Sequence, residues 1–343
     1  ASHTHSGPGA VTAELLWSLA PATDLLVPEV RDGFADSFAK CLVQAKANLK
    51  EASIGVTTGE LTTVTRNRRA GESPYVTTTS IDPQLSLISV NDIATNTPIA
   101  TLWNFAIHGT CFGTDNMYYH GDIMGYTNEL IEQMLPGISM FVNSDAGDIA
   151  PTGPACKNGP FFEGGHDIAK AVVDLRSKTQ FTTEIDLQVE SAFVPFGPTN
   201  LNLTLARVAN CSSGGFLDVC SFCSAKFLNC DLNLHLGEKW IDNTPRFTAI
   251  RLAVNGQNNV IVTSPGESLT ELGRQIRSDA KSLGFDNTLL FGYSNSHLGY
   301  FATPDEYEVG GYESILTLWG EKTSDLIRQG SYKVMSSVKA APA

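Results

Sequence analysis

The 343-residue sequence predicts a mixed α/β to α+β fold, organised as one domain over residues 1–343. Three observations carry this. Apolar runs of strand length alternate with stretches of helical periodicity. Polar, ionisable segments repeatedly follow the apolar runs. A composition of 42% hydrophobic and 17% charged residues allows a sizeable core.

Taken in order, residues 13–20 read as a short helix, with Thr12 placed to cap it and Pro21 to stop it. Residues 34–50 read as a longer helix with Phe38, Leu42, Ala45 and Leu49 on one face. Strands are predicted at 85–90 and 99–107, the second mostly apolar and therefore central. Residues 123–135 are helical, with Asp122 as N-cap and Pro136-Gly137 as the stop. The strand 138–142 runs straight into the polar turn Asn143-Ser144-Asp145-Ala146-Gly147-Asp148, and 166–177 form a further helix. Residues 182–255 hold extended segments. Then strand, loop and helix recur: 260–263, Ser264-Pro265-Gly266-Glu267 and a helix over 269–283, followed by 289–293, a polar loop and a helix through 312–319. No repeat of fixed period stands out. Ionisable residues gather where buried strands end, which is where α/β folds usually build their sites.

Composition excludes several functions. Against 23 basic residues stand 36 acidic ones, a net charge of −13, which argues against a nucleic-acid partner. No run approaches the ~18 apolar residues of a membrane span. The opening Ala1-Ser2-His3-Thr4-His5 is ionisable from the outset and is no signal peptide, and a catalytic-looking motif at a free N-terminus suggests that an upstream piece has been removed. Of seven cysteines, Cys211, Cys220, Cys223 and Cys230 crowd into one segment, and a lone CxxC pair does not make a zinc ribbon. The sequons Asn202-Leu203-Thr204 and Asn210-Cys211-Ser212 lie beside them. Together they mark 182–255 as a variable, cysteine-rich, glycosylated region and place the protein in an oxidising secretory compartment or outside the cell.

Four segments could carry chemistry. In an extended strand His3 and His5 point the same way, and two neutral imidazoles on one face suit Zn²⁺; a frayed polar terminus is the plainer reading, which the turn Ser6-Gly7-Pro8-Gly9 weakens. His108 closes an apolar strand, either as a core histidine or at a strand end opening into a cleft. The turn through Asp148 to Pro151 could line a pocket or be an ordinary Asx-rich turn. Glu267 complements a helix dipole or binds a metal, and Tyr300 and Tyr312 acquire no role from spacing alone.

In order, His3-Thr4-His5-Ser6-Gly7-Pro8-Gly9, Asn67-Arg68, Trp103 to His108, Gly121-Asp122 with Gly125-Tyr126, Asn143 to Pro151, Pro265-Gly266-Glu267 and Tyr300 through Tyr312 resemble the neutral (non-lysosomal) ceramidase family, across nearly the whole chain. The resemblance implies a zinc-dependent amidase that cleaves the N-acyl bond of a ceramide-like lipid through metal-activated water. It implies His3, His108, Glu267 and Tyr300 as zinc ligands. His5 would face the substrate, Arg68 and Tyr312 would line the site, and Tyr312 would donate to the developing oxyanion. His5 and Asp148 are the candidates for proton handling or for orienting a partner.

Three departures from the family pattern accompany it. Ala150 stands where the family carries a serine. The family's strands before the first motif are absent, which implies a cleaved N-terminal fragment of the same precursor. The family's C-terminal immunoglobulin-like domain is absent too. Alternatives are a zinc hydrolase of the same fold acting on another acyl amide, ester or lactone, and a catalytically silent glycoprotein on the same scaffold.

Overall fold

The computed structural model describes residues 1–19, 25–71, 76–203 and 232–339. The chain passes through β1 (Ala52–Glu60), β2 (Thr65–Asn67), β3 (Gln84–Asp92), β4 (Pro98–Phe105), a helix Asp122–Met134, β5 (Ile138–Asn143), β6 (Ile149–Pro151) and a helix Glu163–Arg176. It continues through β7 (Ile185–Phe193), β8 (Leu201–Leu203), β9 (Leu232–Leu234), β10 (Arg246–Val254), β11 (Gln257–Thr263) and β12 (Glu267–Ser268). A helix Thr270–Ser282, β13 (Asn287–Phe291), β14 (Tyr300–Phe301) and a helix Thr323–Val338 complete it.

Two four-stranded sheets result, ordered β1-β3-β4-β5 and β7-β10-β11-β13. Within each, the first three strands pair antiparallel, and the last joins the third in parallel after a crossover helix. The two halves therefore share one topology, although the sequence shows no fixed-period repeat. Each half satisfies the pattern with different side chains, so the duplication exists in strand pairing alone.

The sheets face each other and a helical layer covers each outer face. On one side Ile123, Ile131, Ile168 and Val172 of the helices pack on Leu85, Leu87, Trp103 and Phe105. On the other, Leu272, Ile276, Ile327 and Val334 pack on Phe247, Val260, Val262 and Leu290. Between the sheets lie Val56, Leu252, Val254, Ile261 and Leu289. Val260 and Val262 thus face helices while Ile261 faces the other sheet, which is why this strand reads as a continuous apolar run. Asn104 Nδ2 donates across the gap to the carbonyl of Leu290, and Gln84 Nε2 to that of Thr288.

Some expectations shift. The helix expected over 34–50 spans Pro28–Ala47, because Pro28 is preorganised for a first helical turn. None of its residues is buried, so Phe38 and Leu42 remain exposed, as does Leu49 just beyond its end. Gly121, not Asp122, caps the helix Asp122–Met134; the Asp122 carboxylate instead accepts the amides of Cys111 and Phe112, in the loop after His108. The helix expected through 312–319 is the short Tyr312–Ile315. The cysteine cluster at Cys211–Cys230 and most of the two sequons lie outside the described residues. Among the described residues no helix is long and apolar enough to cross a membrane.

Candidate metal centre and active site

The parallel pairs β4/β5 and β11/β13 aim their C-terminal ends at a common region, and every candidate site residue emerges there or from a segment stitched to it. The N-terminal segment is held by a parallel bridge from Thr4 to Gly109, directly after His108. The Asn143 amide donates to the Ala1 carbonyl, and the His5 amide to that of Gly109. Gly109 permits this approach: a Cβ there would lie 2.8 Å from the Thr4 Cα. Gly147 plays the same part across the site, where a Cβ would lie 2.8 Å from the Glu267 carbonyl oxygen. Backbone strain also concentrates here, since His3 and Tyr293 have left-handed φ values of 60° and 54°.

His3, His108 and Glu267, separated by up to 264 positions in sequence, come together. His3 Nε2 and His108 Nε2 are 3.3 Å apart, and Glu267 Oε2 lies 3.5 Å from the first and 3.3 Å from the second. Donor atoms held ~2.0–2.1 Å from a tetrahedral ion are spaced ~3.3–3.4 Å from each other, so this triangle matches three corners of such a site. Two imidazoles and a carboxylate also form a borderline-hard donor set suited to zinc. His108 Nδ1 is 2.6 Å from the Ala146 carbonyl, which fixes the ring and frees Nε2 for the centre.

His5 lies at the mouth, its Nε2 3.2 Å from His3 Nε2. Partial desolvation of its ring among the neighbouring groups, reinforced by His108, pushes it down to about 4. Burial likewise drives His3 well below the ordinary histidine value, against the pull of Glu267. Burial would raise the Glu267 carboxyl, but His3, with His108 and His297, outweighs it and holds the group well below its usual range. His3 and His5 are therefore held neutral beside an ionised Glu267, the protonation state that metal binding requires of them.

Tyr300 is the register partner of Glu267 in the β12–β14 ladder, so both side chains leave the same face. Its hydroxyl accepts from Arg68 Nη2 at 3.0 Å, and the Tyr312 ring packs against it at 5.5 Å. Arg68 also donates to the Gly147 carbonyl at 2.8 Å and to Glu313 Oε1 at 2.7 Å. Asp148 is buried and accepts from the Thr270 amide and hydroxyl and from Asn67 Nδ2, while its carbonyl takes the Arg68 amide. It thereby holds the Asn67–Arg68 turn against the helix Thr270–Ser282. Ala150 sits in β6 opposite Arg66.

Three residues that no sequence motif singled out also join the centre. His297 Nε2 lies 3.2 Å from Glu267 Oε1. The Tyr293 ring stacks on His3 at 4.2 Å, and its hydroxyl reaches Glu267 Oε2 at 3.4 Å. Glu313, next to Tyr312, is buried between Arg68 and Arg69. Tyr293 and His297 stand in the polar loop after an apolar strand, the same signal that marked the turn at 143–148.

Residues 1–174 match the family described as neutral/alkaline non-lysosomal ceramidase, N-terminal. The chain belongs to that family. Neutral ceramidase B of Dictyostelium discoideum is 23% identical over 98% of this chain, and neutral ceramidase of Pseudomonas aeruginosa is 22% identical over 96%. The crystal structure of neutral ceramidase from Pseudomonas aeruginosa superposes with a TM-score of 0.77 at 20% identity, covering 98% of this chain and 60% of that one. A second solved structure, a ceramidase complexed with C2, superposes with a TM-score of 0.80 at 19% identity, covering 100% and 62%. The ceramidase fold is thus shared throughout the described residues. This chain spans 60% of the length of the Dictyostelium relative and 57% of the Pseudomonas one.

Proposed function

We propose that this chain carries the catalytic centre of a zinc-dependent hydrolase that cleaves the N-acyl amide of ceramide-like lipids. The observation that carries the reading is the triangle of His3, His108 and Glu267, with edges of 3.3, 3.5 and 3.3 Å, in a ceramidase-family fold. These three residues would hold the ion, and Tyr300, the register partner of Glu267, would be the fourth ligand. When bound, the ion supplies Lewis acidity and acidifies water at neutral pH.

The protein's own groups do the rest. Neutral His5, at the mouth, takes up and returns a proton beside the scissile bond. The Tyr312 phenol, its pKa raised chiefly by burial, stays protonated and donates to the oxyanion that forms on the amide carbonyl. Arg68, anchored on Glu313 and the Gly147 carbonyl, fixes Tyr300 and Tyr312 over the site. Asp148 acts as an orienting residue, since its three hydrogen bonds tie the Arg68 turn in place. The Cys111–Cys156 disulfide, which pins the loop after His108, supports an oxidising location, secreted or luminal.

Ala150 favours a second reading, in which the same centre cleaves another acyl amide, ester or lactone. The nearby Ser144 hydroxyl does not replace a serine at that position, being engaged with Asp145 and Arg277. Assay of the purified chain on a fluorescent ceramide beside short acyl amides and esters separates the two. Ceramide cleavage supports the first reading. Cleavage of a short ester with ceramide untouched removes the ceramidase assignment.

A further inference from the structure

The two oxygens of Glu267 have different surroundings. Oε2 faces His3 and His108, while Oε1 meets His297 Nε2 at 3.2 Å. A carboxylate bound to a metal can engage through one oxygen or both, and a donor on the outer oxygen favours the first mode.

The loop carrying His297 is built to deliver that donor. After β13 it is stitched onto the segment leading to Glu267 by Tyr293 N to Gly266 O, Ser294 N to Ser264 O and Leu298 N to Pro265 O. Tyr293 and Asn295 both adopt left-handed φ, 54° and 71°, which turns the loop back on itself. Trp17 Nε1 donates to the His297 carbonyl at 2.8 Å, and the indole meets the imidazole edge-on at 5.2 Å. Ring and backbone are therefore held from a third segment of the chain.

We infer that His297 is a positioning residue of the metal centre, donating from Nε2 to Glu267 Oε1 so that only Oε2 enters the coordination sphere. This rests on the metal reading above, and it adds to the four expected ligands a fifth residue that acts through one of them.

The full chain, stripped of metal and titrated with zinc against a chromophoric chelator, tests it in three forms: wild type, His297→Ala and His297→Gln. His297→Ala is expected to bind zinc about 10–100-fold more weakly. With cobalt in place of zinc, its visible absorbance is expected to fall as Glu267 engages through both oxygens and the coordination number rises. His297→Gln, whose amide N–H reaches the same oxygen, is expected to recover most of the affinity and the wild-type spectrum. Wild-type affinity and spectrum in His297→Ala overturn the inference. So does His297→Gln as impaired as His297→Ala with an unchanged metal-free melting temperature, which would make the imidazole itself a ligand. A wild-type chain that takes up no zinc overturns the metal reading and this inference with it.

Discussion

Tyr300 and Glu267 stand opposite each other in a two-residue parallel ladder, and the Tyr300 hydroxyl accepts a 3.0 Å hydrogen bond from Arg68. The phenol thus meets the Arg68 cation, and its ring leaves the strand on the same face as the Glu267 side chain. Burial first, and then Glu267, hold its pKa well above the ordinary tyrosine value. Tyr300→Phe keeps the ring in its pocket and deletes only the hydroxyl. Turnover is expected to fall by about a hundredfold or more, as for loss of one preorganised polar group at a reacting centre. Zinc affinity should fall with it, while thermal stability stays near wild type. Steady-state kinetics with a zinc titration checks this, and wild-type zinc affinity would remove Tyr300 from the ligand set.

Arg68 makes three directed contacts, to Glu313, the Gly147 carbonyl and Tyr300. Lysine carries the charge but presents a single ammonium, so it cannot span all three. Arg68→Lys is expected to lose at least tenfold in kcat/KM while still binding zinc, because Arg68 touches none of the three triangle donors and every ligand, the Tyr300 hydroxyl included, remains in the chain. Parallel measurement of kcat/KM and bound zinc separates this outcome from collapse of the centre.

A buried charge cluster supports the turn at 143–148 from behind. Arg277 donates to Asp82 at 2.7 Å, to Asp145 at 2.9 Å and to Ser144 at 3.0 Å. Burial, opposed by Arg277 and assisted by Asp145, raises the Asp82 carboxyl to about 7. Between pH about 4, where an unfolded aspartate titrates, and pH about 7, the folded chain keeps a proton that the unfolded chain releases. Stability from this group is therefore fully present at low pH and is lost as pH rises through that window, by up to ~1.4 kcal/mol per pH unit. Asp82→Asn mimics the protonated carboxyl and should flatten this slope. Denaturant unfolding at pH 5, 6 and 7 measures it, and an unchanged slope would assign the proton elsewhere.

Met117, Tyr118 and Tyr119 are 87, 83 and 80% exposed, between Asn116, which donates to the Ser6 hydroxyl, and His120, whose amide donates to the Ser6 carbonyl. An apolar, partly aromatic tip tied next to His5 suits contact with a lipid surface. Replacing all three by serine is expected to leave hydrolysis of a detergent-dispersed short-chain substrate unchanged. Hydrolysis of ceramide in phosphatidylcholine vesicles should drop several-fold. Equal effects on both substrates would deny the tip this role.

Where the sequence was informative, a local pattern carried the information. The apolar run ending at His108 and the strand before Pro265-Gly266-Glu267 announce themselves by period and by their polar sequels, and both end at the site. His297 and Tyr293 share that mark, since they follow the apolar strand Asn287–Phe291, but it does not single them out within the loop, because their role lies in distances to Glu267 and His3 that only the folded chain creates. The matching topology of the two halves is likewise invisible in side chains, since hydrogen-bonded pairing does not require the same residues twice. The stripe of Phe38, Leu42 and Leu49 is legible as a stripe, but periodicity does not state what covers it, and in the described residues it stays exposed.

Metal content of the purified chain, measured before and after His108→Ala, decides whether His3, His108 and Glu267 hold an ion. About one zinc per wild-type chain is expected, with loss of both zinc and amide hydrolysis in the variant. Amide hydrolysis that persists in His108→Ala, or in wild-type protein carrying no metal, contradicts the metal reading.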